Sequence, residues 1–138
     1  MAFEQTLTTS FKQEILLGVH DLDTDVIKMA LFLATANLGA STTVYSTAGE
    51  TSGVGYTAGG EIMTGATVLT SGTTAYVDFN NTLWSPSSFT ARGALIYNAS
   101  KGNKAVAVLD FGSDKTSTTT FTVQMPANTA TSALIRIS

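Results

Sequence analysis

The sequence predicts an all-β domain, an antiparallel sandwich or barrel with one short α-helix near its N-terminus. Six segments rich in β-branched and aromatic residues follow one another: EIMTGATVLT, TTAYVDF, SSFTARGALIYN, NKAVAVLDFG, STTTFTVQM and SALIRIS. The segments SG, NASKG, GSDK and PANTA lie between them and are rich in turn formers. Apolar and polar residues also alternate in TTFTVQM, residues 119–125. Short strands at this spacing are typical of β-sandwiches.

The helix is predicted over residues 8–18. Ser10 can act as its N-cap, Gln13 follows three residues later as in a capping box, and Gly18 is placed to end it. An apolar stripe at four-residue spacing runs along one side and consists of Leu7, Phe11 and Ile15. The helix must therefore pack against something, either its own sandwich or a neighbouring molecule.

The first strand is predicted directly after the helix, in VIKMALFLAT, residues 26–35. Ile27, Met29 and Leu31 fall on one face, while Lys28 and Phe32 fall on the other. The alternation indicates a strand that is buried on at least one side.

A long loop is predicted over residues 37–60, where glycines are frequent and periodicity is weak. A loop of that length is uncommon inside a compact domain and is usually functional or disordered. It contains four apolar anchors that a solvated loop would not need: Val44, Tyr45, Val54 and Tyr56. The segment is predicted to be a short edge strand or an arm that reaches a neighbour.

Composition limits the classes of function. With 138 residues we expect a single domain spanning residues 1–138. Lys and Arg total 7 against 10 Asp and Glu and are scattered, so we expect no nucleic-acid partner. Without cysteine there is neither a disulfide nor a thiolate zinc site. The N-terminal residues do not resemble a signal peptide and no apolar run is long enough to span a membrane, so we expect a soluble, unexported chain with no membrane partner.

Charged residues make up only 12% of the chain, about half of the roughly 25% typical of soluble domains. Two interpretations remain open. The sheet exterior is a neutral, Thr-rich surface, or other subunits cover much of it.

The single histidine, His20, precedes three alternating aspartates: Asp21, Asp23 and Asp25. A calcium loop with this start would need glycine at its sixth position and glutamate at its twelfth, where this chain has valine and phenylalanine. No G-x-S-x-G elbow accompanies the histidine, and the glycines of SGVGYTAGG lack phosphate-loop spacing. We expect a structural join between helix and strand, with no catalytic residue, metal site or cofactor.

Two aspartates occur in matching contexts, Asp78 in YVDF and Asp110 in VLDFG. Alternation turns each side chain away from the face that its apolar neighbours share. We therefore expect exposed or turn-capping aspartates and no general acid/base pair.

The ordering of several segments resembles that of small structural proteins of tailed bacteriophages. The resemblance covers residues 10–112 and consists of SFKQEILLGVH, VIKMALF, YTAGGEIM, AYVDFNNTLWSPSSFTARGALIYN and NKAVAVLDFG. It implies a virion component of the capsid decoration (cement) type, with a jelly-roll-like β-sandwich that forms a homotrimer. It also implies a position on the capsid surface, bound to the major capsid protein, after assembly in the host cytoplasm.

Five residues are predicted to contact a partner: Phe11, Ile15, Tyr45, Tyr56 and Trp84. Trp84 is as well suited to closing one end of the core. Two alternatives to capsid decoration stay open. The chain is a tail or neck adaptor associated with fibres, or it is a carbohydrate-binding module in which Tyr45, Tyr56 or Trp84 stacks on a sugar.

Overall fold

A computed structural model describes residues 3–138. Its single α-helix, α1, spans Thr9–Leu16. A 3₁₀ turn covers Ala99–Lys101. The ten strands are β1 Thr6–Leu7, β2 Ile27–Phe32, β3 Glu61–Ile62, β4 Thr67–Ser71, β5 Thr74–Asp78, β6 Thr82–Trp84, β7 Thr90–Asn98, β8 Lys104–Thr116, β9 Phe121–Val123 and β10 Ile135–Ile137.

The strands form three antiparallel sheets. The largest has five strands in the order β1-β8-β7-β2-β3, the second has the order β10-β5-β4, and the third pairs β6 with β9. This arrangement confirms the predicted all-β sandwich with a short N-terminal helix. Jelly-roll connectivity, which the phage resemblance implied, stays a prediction.

The N-cap of helix α1 lies two residues earlier than predicted. Thr8, and not Ser10, is the N-cap: its Oγ1 accepts a hydrogen bond from the Phe11 N–H at 3.2 Å. The prediction of Ser10 was wrong because β1 holds Thr8 in extended backbone, with its N–H donating to the Val106 carbonyl at 3.0 Å. The helix ends as predicted, with Gly18 at φ +73° just beyond it.

Strand β2 is buried on both faces. Ile27, Met29 and Leu31 belong to the main core, on the side of the smaller sheets. Phe32 and Ala30 belong to a second core on the opposite face, which residues of the long loop cover. The alternation of the sequence therefore separates two apolar environments.

Two predicted segments take a different course. EIMTGATVLT is not one strand: β3 pairs with β2, whereas β4 pairs with β5 in another sheet. GSDK is not a turn between strands, because β8 continues through it to Thr116. The pairing with β7 jumps from Gly93↔Asp110 to Ala91↔Lys115, so the extra residues form a bulge inside β8.

Candidate functional site

The long loop between β2 and β3 lies along its own sheets. Single backbone bridges fix it at four points: Leu38 to Phe3, Val44 to Lys104, Glu50 to Phe32 and Val54 to Ser88. In this conformation the segment is neither an edge strand nor an arm extending from the molecule. It covers the second core instead.

One carboxylate holds the middle of this loop. Glu50 Oε1 accepts a hydrogen bond from the Tyr45 hydroxyl at 2.6 Å, and Oε2 accepts one from the Tyr56 hydroxyl at 2.5 Å. Oε2 also accepts the Gly59 N–H at 2.8 Å. We call these four residues the Glu50 clamp. The Glu50 side chain therefore hydrogen-bonds to three separate positions of the loop, at residues 45, 56 and 59.

Strands of the main sheet anchor the clamp. The Tyr56 hydroxyl accepts the Leu31 N–H at 2.9 Å, and the Tyr97 hydroxyl donates to the Gly59 carbonyl at 2.6 Å. The ring of Tyr45 stacks on that of Tyr97, with 4.6 Å between centroids and 13° between planes. The loop is therefore fixed to β2 and β7 through tyrosines.

The tyrosines of this region stay protonated. Burial raises the pKa of Tyr45 and of Tyr56 well above the ordinary value, and the hydrogen bond to Glu50 raises both further. Burial and the nearby Glu50 charge raise the pKa of Tyr97 to about 12. Each phenol is thus a hydrogen-bond donor at physiological pH, and the Glu50 carboxylate is the acceptor.

Tyr45 and Tyr56 were predicted to contact a partner. The structure brings both into the clamp, where their hydroxyls bond Glu50 and their rings are half-buried. Their role at an interface stays a prediction. The sequence signal for the clamp is a glutamate placed between two tyrosines, and only the folded chain shows that the three side chains meet.

Trp84 lies in the core and is 2% exposed. Its ring contacts an aromatic cluster, with Phe121 at a centroid distance of 6.1 Å, Tyr56 at 6.2 Å and Phe89 at 6.3 Å. Of the two roles considered for Trp84, closing the core is the one that matches its position. The neighbouring residue Leu83 faces outward and is 53% exposed.

The two predicted contact residues of α1 are turned toward the chain's own sandwich. Phe11 is 2% exposed in the main core, and Ile15 packs against that core while remaining partly exposed. The helix therefore packs intramolecularly. The side chains that α1 leaves for a neighbour are Leu16 and Leu17, which are 87% and 70% exposed.

His20 is buried in a polar network beside α1. Its Nε2 lies 2.9 Å from Glu14 Oε1, and its Nδ1 lies 3.0 Å from the Asn98 amide nitrogen. The same amide donates to Asp25 Oδ2 at 2.7 Å, and Lys101 Nζ lies 3.3 Å from Asp25 Oδ1. The network joins the helix end, the turn before β2 and the end of β7, as expected of a structural join.

The turn aspartates serve this network. Burial alone would raise the pKa of Asp25, but hydrogen bonds from Asn98, the Asp21 N–H and Lys101 outweigh burial and hold that pKa below its ordinary value. Asp21 Oδ1 accepts the N–H groups of Asp23 and Thr24, so it shapes the turn. Within residues 3–138, no group of three or more His, Asp or Glu side chains is placed to hold a metal ion.

Asp78 differs from its prediction, whereas Asp110 agrees with it. Asp78 is 3% exposed; its Oδ1 accepts the Phe79 N–H at 2.9 Å and its Oδ2 has no partner. Burial raises its pKa, whereas the backbone N–H groups of Phe79 and Leu134 act to lower it. Asp110 caps the β8 bulge by accepting the Gly112 N–H at 2.8 Å, and it also pairs with Arg92. The expectation of an exposed Asp78 was wrong because both faces of β5 are buried at its end, at Val77 and Asp78.

Two open grooves flank the three-stranded sheet. One, of about 620 Å³, lies between α1 and that sheet and includes Ile15, Leu22, Val68 and Ile137 in its walls. The other, of about 950 Å³, lies between β8 and β10, and its walls contain Lys115 and Arg136 but no acidic side chain.

Apolar side chains are prominent on the surface near the smaller groove. Val68 and Ile137 are 52% and 57% exposed, and Leu16 and Leu17 project from the end of α1. We call these four residues the apolar rim. Val68 and Ile137 line the groove, and Leu16 and Leu17 follow its wall residue Ile15 in the chain. An exposed apolar patch is typical of surfaces at which proteins associate.

No protein-family model, curated protein or solved structure matches the chain. The part of the chain that the structure describes contains no helix of the length and apolarity needed to cross a membrane.

Proposed function

We propose that this chain is a non-enzymatic structural protein of a tailed-phage virion. It decorates the outer surface of the capsid as a homotrimer, binds between subunits of the major capsid protein, and is assembled in the host cytoplasm. Neither nucleic acid nor a membrane is its partner. The observation that carries the proposal is the apolar rim, in a chain with only 12% charged residues. The sequence resemblance to phage structural proteins supplies the class of partner.

The rim supports an association function because exposed apolar area is costly in water. Covering apolar surface contributes about 25 cal/mol for each Å², so burying one leucine side chain contributes about 1.5–3 kcal/mol. Leu16 and Leu17 are the most exposed large apolar residues of the described chain. They replace Phe11 and Ile15 as the proposed contacts of the helix.

Stabilisation of the capsid would follow from mass action. A protein that binds the assembled shell, and not its free subunits, adds about 2.7 kcal/mol per site when its free concentration is 100 times Kd. No catalytic step is needed. A rigid β-sandwich whose long loop is fastened by the Glu50 clamp suits this role, since little ordering free energy is lost on binding.

A tail or neck adaptor would use the same apolar surface, and the number of copies per virion distinguishes it from a decoration protein. The carbohydrate-binding alternative is less well supported. Trp84 is buried, so its ring is not free to stack on a sugar in this conformation, and one face of Tyr45 is covered by Tyr97.

The test is sedimentation of the purified protein with phage heads that were assembled without it. Wild-type protein should bind saturably. The double variant Leu16→Glu/Leu17→Glu should bind at least about a hundredfold more weakly, because two buried leucines are replaced by charges. Thr118→Glu/Thr119→Glu is the matched control at exposed polar positions and should bind like wild type. Absence of wild-type binding to heads would overturn the capsid proposal.

A further inference from the structure

Strand β4 is an open sheet edge that lacks the usual protection against pairing. It ends the sheet β10-β5-β4, and all five of its residues are exposed. From Ile62 to Val77 the sequence has no charged residue and no proline. Edge strands are normally blunted by charges, proline, bulges or short length, and an exposed apolar edge without them is a template for another strand.

The turn after β4 determines which backbone groups face outward. Gly72 and Thr73 form a two-residue hairpin loop between the paired residues Ser71 and Thr74, and Gly72 has φ +59°, as in a type II′ turn. The pair that closes such a loop is hydrogen-bonded, and hydrogen-bonded pairs then alternate along the ladder. The N–H and C=O groups of Val68 and Thr70 therefore point away from β5.

We propose that β4 pairs antiparallel with β4 of a second copy of this chain, across a two-fold axis beside Leu69. In this register Val68 lies opposite Thr70 of the second copy, and Thr70 opposite Val68. The outward backbone groups then satisfy one another with about four hydrogen bonds. Leu69 faces its own counterpart in a non-hydrogen-bonded pair, where side chains approach most closely. The same strand is thus both template and partner.

The side chains suit a second copy better than a charged partner. Leu69 and Val68 are 43% and 52% exposed, and pairing covers both. Strand β4 contains no charged residue, so two copies of it can pair without like-charge repulsion.

Other edges of the described sheets are less suited to self-pairing. The edges β1 and β3 have two residues each, and β3 begins with Glu61. Strand β10 has three residues, with Arg136 at its centre. A two-fold pairing centred on that residue would place arginine against arginine. Among the edges of the two larger sheets, β4 alone is five residues long and uncharged.

This inference goes beyond the proposed function. The two-fold contact joins two copies whether or not the chain binds a capsid, and it leaves other surfaces available for a three-fold interface. Val68 belongs to both the apolar rim and this contact, so each proposal is tested at residues that the other does not use: Leu16 and Leu17 for head binding, and Leu69 for pairing.

The test uses the absence of cysteine from the chain. Leu69→Cys places a thiol opposite its own copy, at a separation that a disulfide can bridge. Under mild oxidation at micromolar protein, this variant should form a covalent dimer on a non-reducing gel at least about tenfold faster than Leu83→Cys. Leu83 is the matched control, an exposed leucine on β6. Equal rates for the two variants would overturn the proposal.

The register is tested by mixing Val68→Cys with Thr70→Cys. The mixed disulfide should form faster than either homodimer, because these positions face each other and not themselves.

In sedimentation, Leu69→Lys should weaken self-association of the otherwise wild-type chain at least about tenfold, since it places two like charges opposite each other. If wild-type protein and Leu69→Lys showed the same self-association in sedimentation at every concentration, the proposal would be overturned.

Discussion

The amide group of Asn98 donates to Nδ1 of His20 across 3.0 Å, and this bond determines the tautomer of the imidazole. The Asn98 amide nitrogen also donates to Asp25, and its carbonyl oxygen accepts the Ser100 N–H at 3.0 Å, so the amide orientation is determined. Nδ1 is therefore the acceptor. In a neutral imidazole the proton then lies on Nε2, where it is donated to Glu14 at 2.9 Å.

We expect the neutral imidazole of His20 to be the Nε2–H tautomer in the folded protein. Long-range ¹H–¹⁵N correlation spectra distinguish the two ring nitrogens by chemical shift, and the single histidine removes any ambiguity of assignment. A protonated Nδ1 would contradict the network, because two donors would then face each other.

Replacing Glu50 with glutamine should destabilise the fold by about 1–3 kcal/mol. One of the two clamp oxygens becomes an amide nitrogen, which cannot accept from a tyrosine hydroxyl or from the Gly59 N–H. Urea unfolding measures the change. Glu61→Gln is the control, since Glu61 is exposed on β3, and it should change stability by less than about 0.5 kcal/mol. Equal effects of the two substitutions would show that the clamp contributes nothing.

Gly60→Ala should destabilise the protein by about 3 kcal/mol or more. The residue has φ +78°, and an added Cβ would overlap the carbonyl group of Met29 on β2. Gly102→Ala separates the two causes, because Gly102 also has positive φ, in the left-handed region, but has open space around it. It should cost only about 1–2 kcal/mol, the ordinary penalty of left-handed backbone. Thermal or urea unfolding that gave equal losses would contradict the close approach of the loop to β2.

Asp78→Asn should raise the free energy of unfolding at neutral pH. Burial raises the pKa of Asp78 above its ordinary 3.8, so the folded state binds the proton more tightly than the unfolded state does. Ionised Asp78 therefore lowers stability at neutral pH, and this loss is relieved as pH falls through the folded-state pKa. The asparagine variant keeps the acceptor for the Phe79 N–H and removes the buried charge.

Asp110→Asn should act in the opposite direction. Hydrogen bonds from the Gly112 N–H and from Arg92 hold the pKa of Asp110 below its ordinary value. Its contribution to stability is present above the unfolded-state pKa and is lost as pH falls through the folded-state pKa. Urea unfolding of both variants between pH 3 and 7 checks the two signs. Destabilisation by both substitutions at pH 7 would contradict the account of Asp78.

The local sequence pattern was sufficient to predict the elements whose apolar residues repeat regularly. The alternation in β2 and the spacing of Phe11 and Ile15 on α1 are visible in the sequence and correspond to buried faces. Strands β1 and β6 have two and three residues, too few to show a period of two. Their positions depend on pairing with distant strands.

The remaining differences arise from contacts between residues far apart in the chain. Thr8 replaces Ser10 as N-cap because β1 pairs with β8, about a hundred residues away. Asp78 is buried at the end of β5, where the distant strand β10 pairs alongside it. The tyrosines of the long loop were recognised as anchors, but the sequence does not reveal that the surface they anchor to is the chain's own sheet.

The most direct test of the proposed function is the number of copies of this chain in purified virions, measured by quantitative mass spectrometry against the major capsid protein. A decoration protein should be present in hundreds of copies and should remain with the heads when tails are removed. Absence from virions, or a few copies that separate with the tails, would contradict capsid decoration.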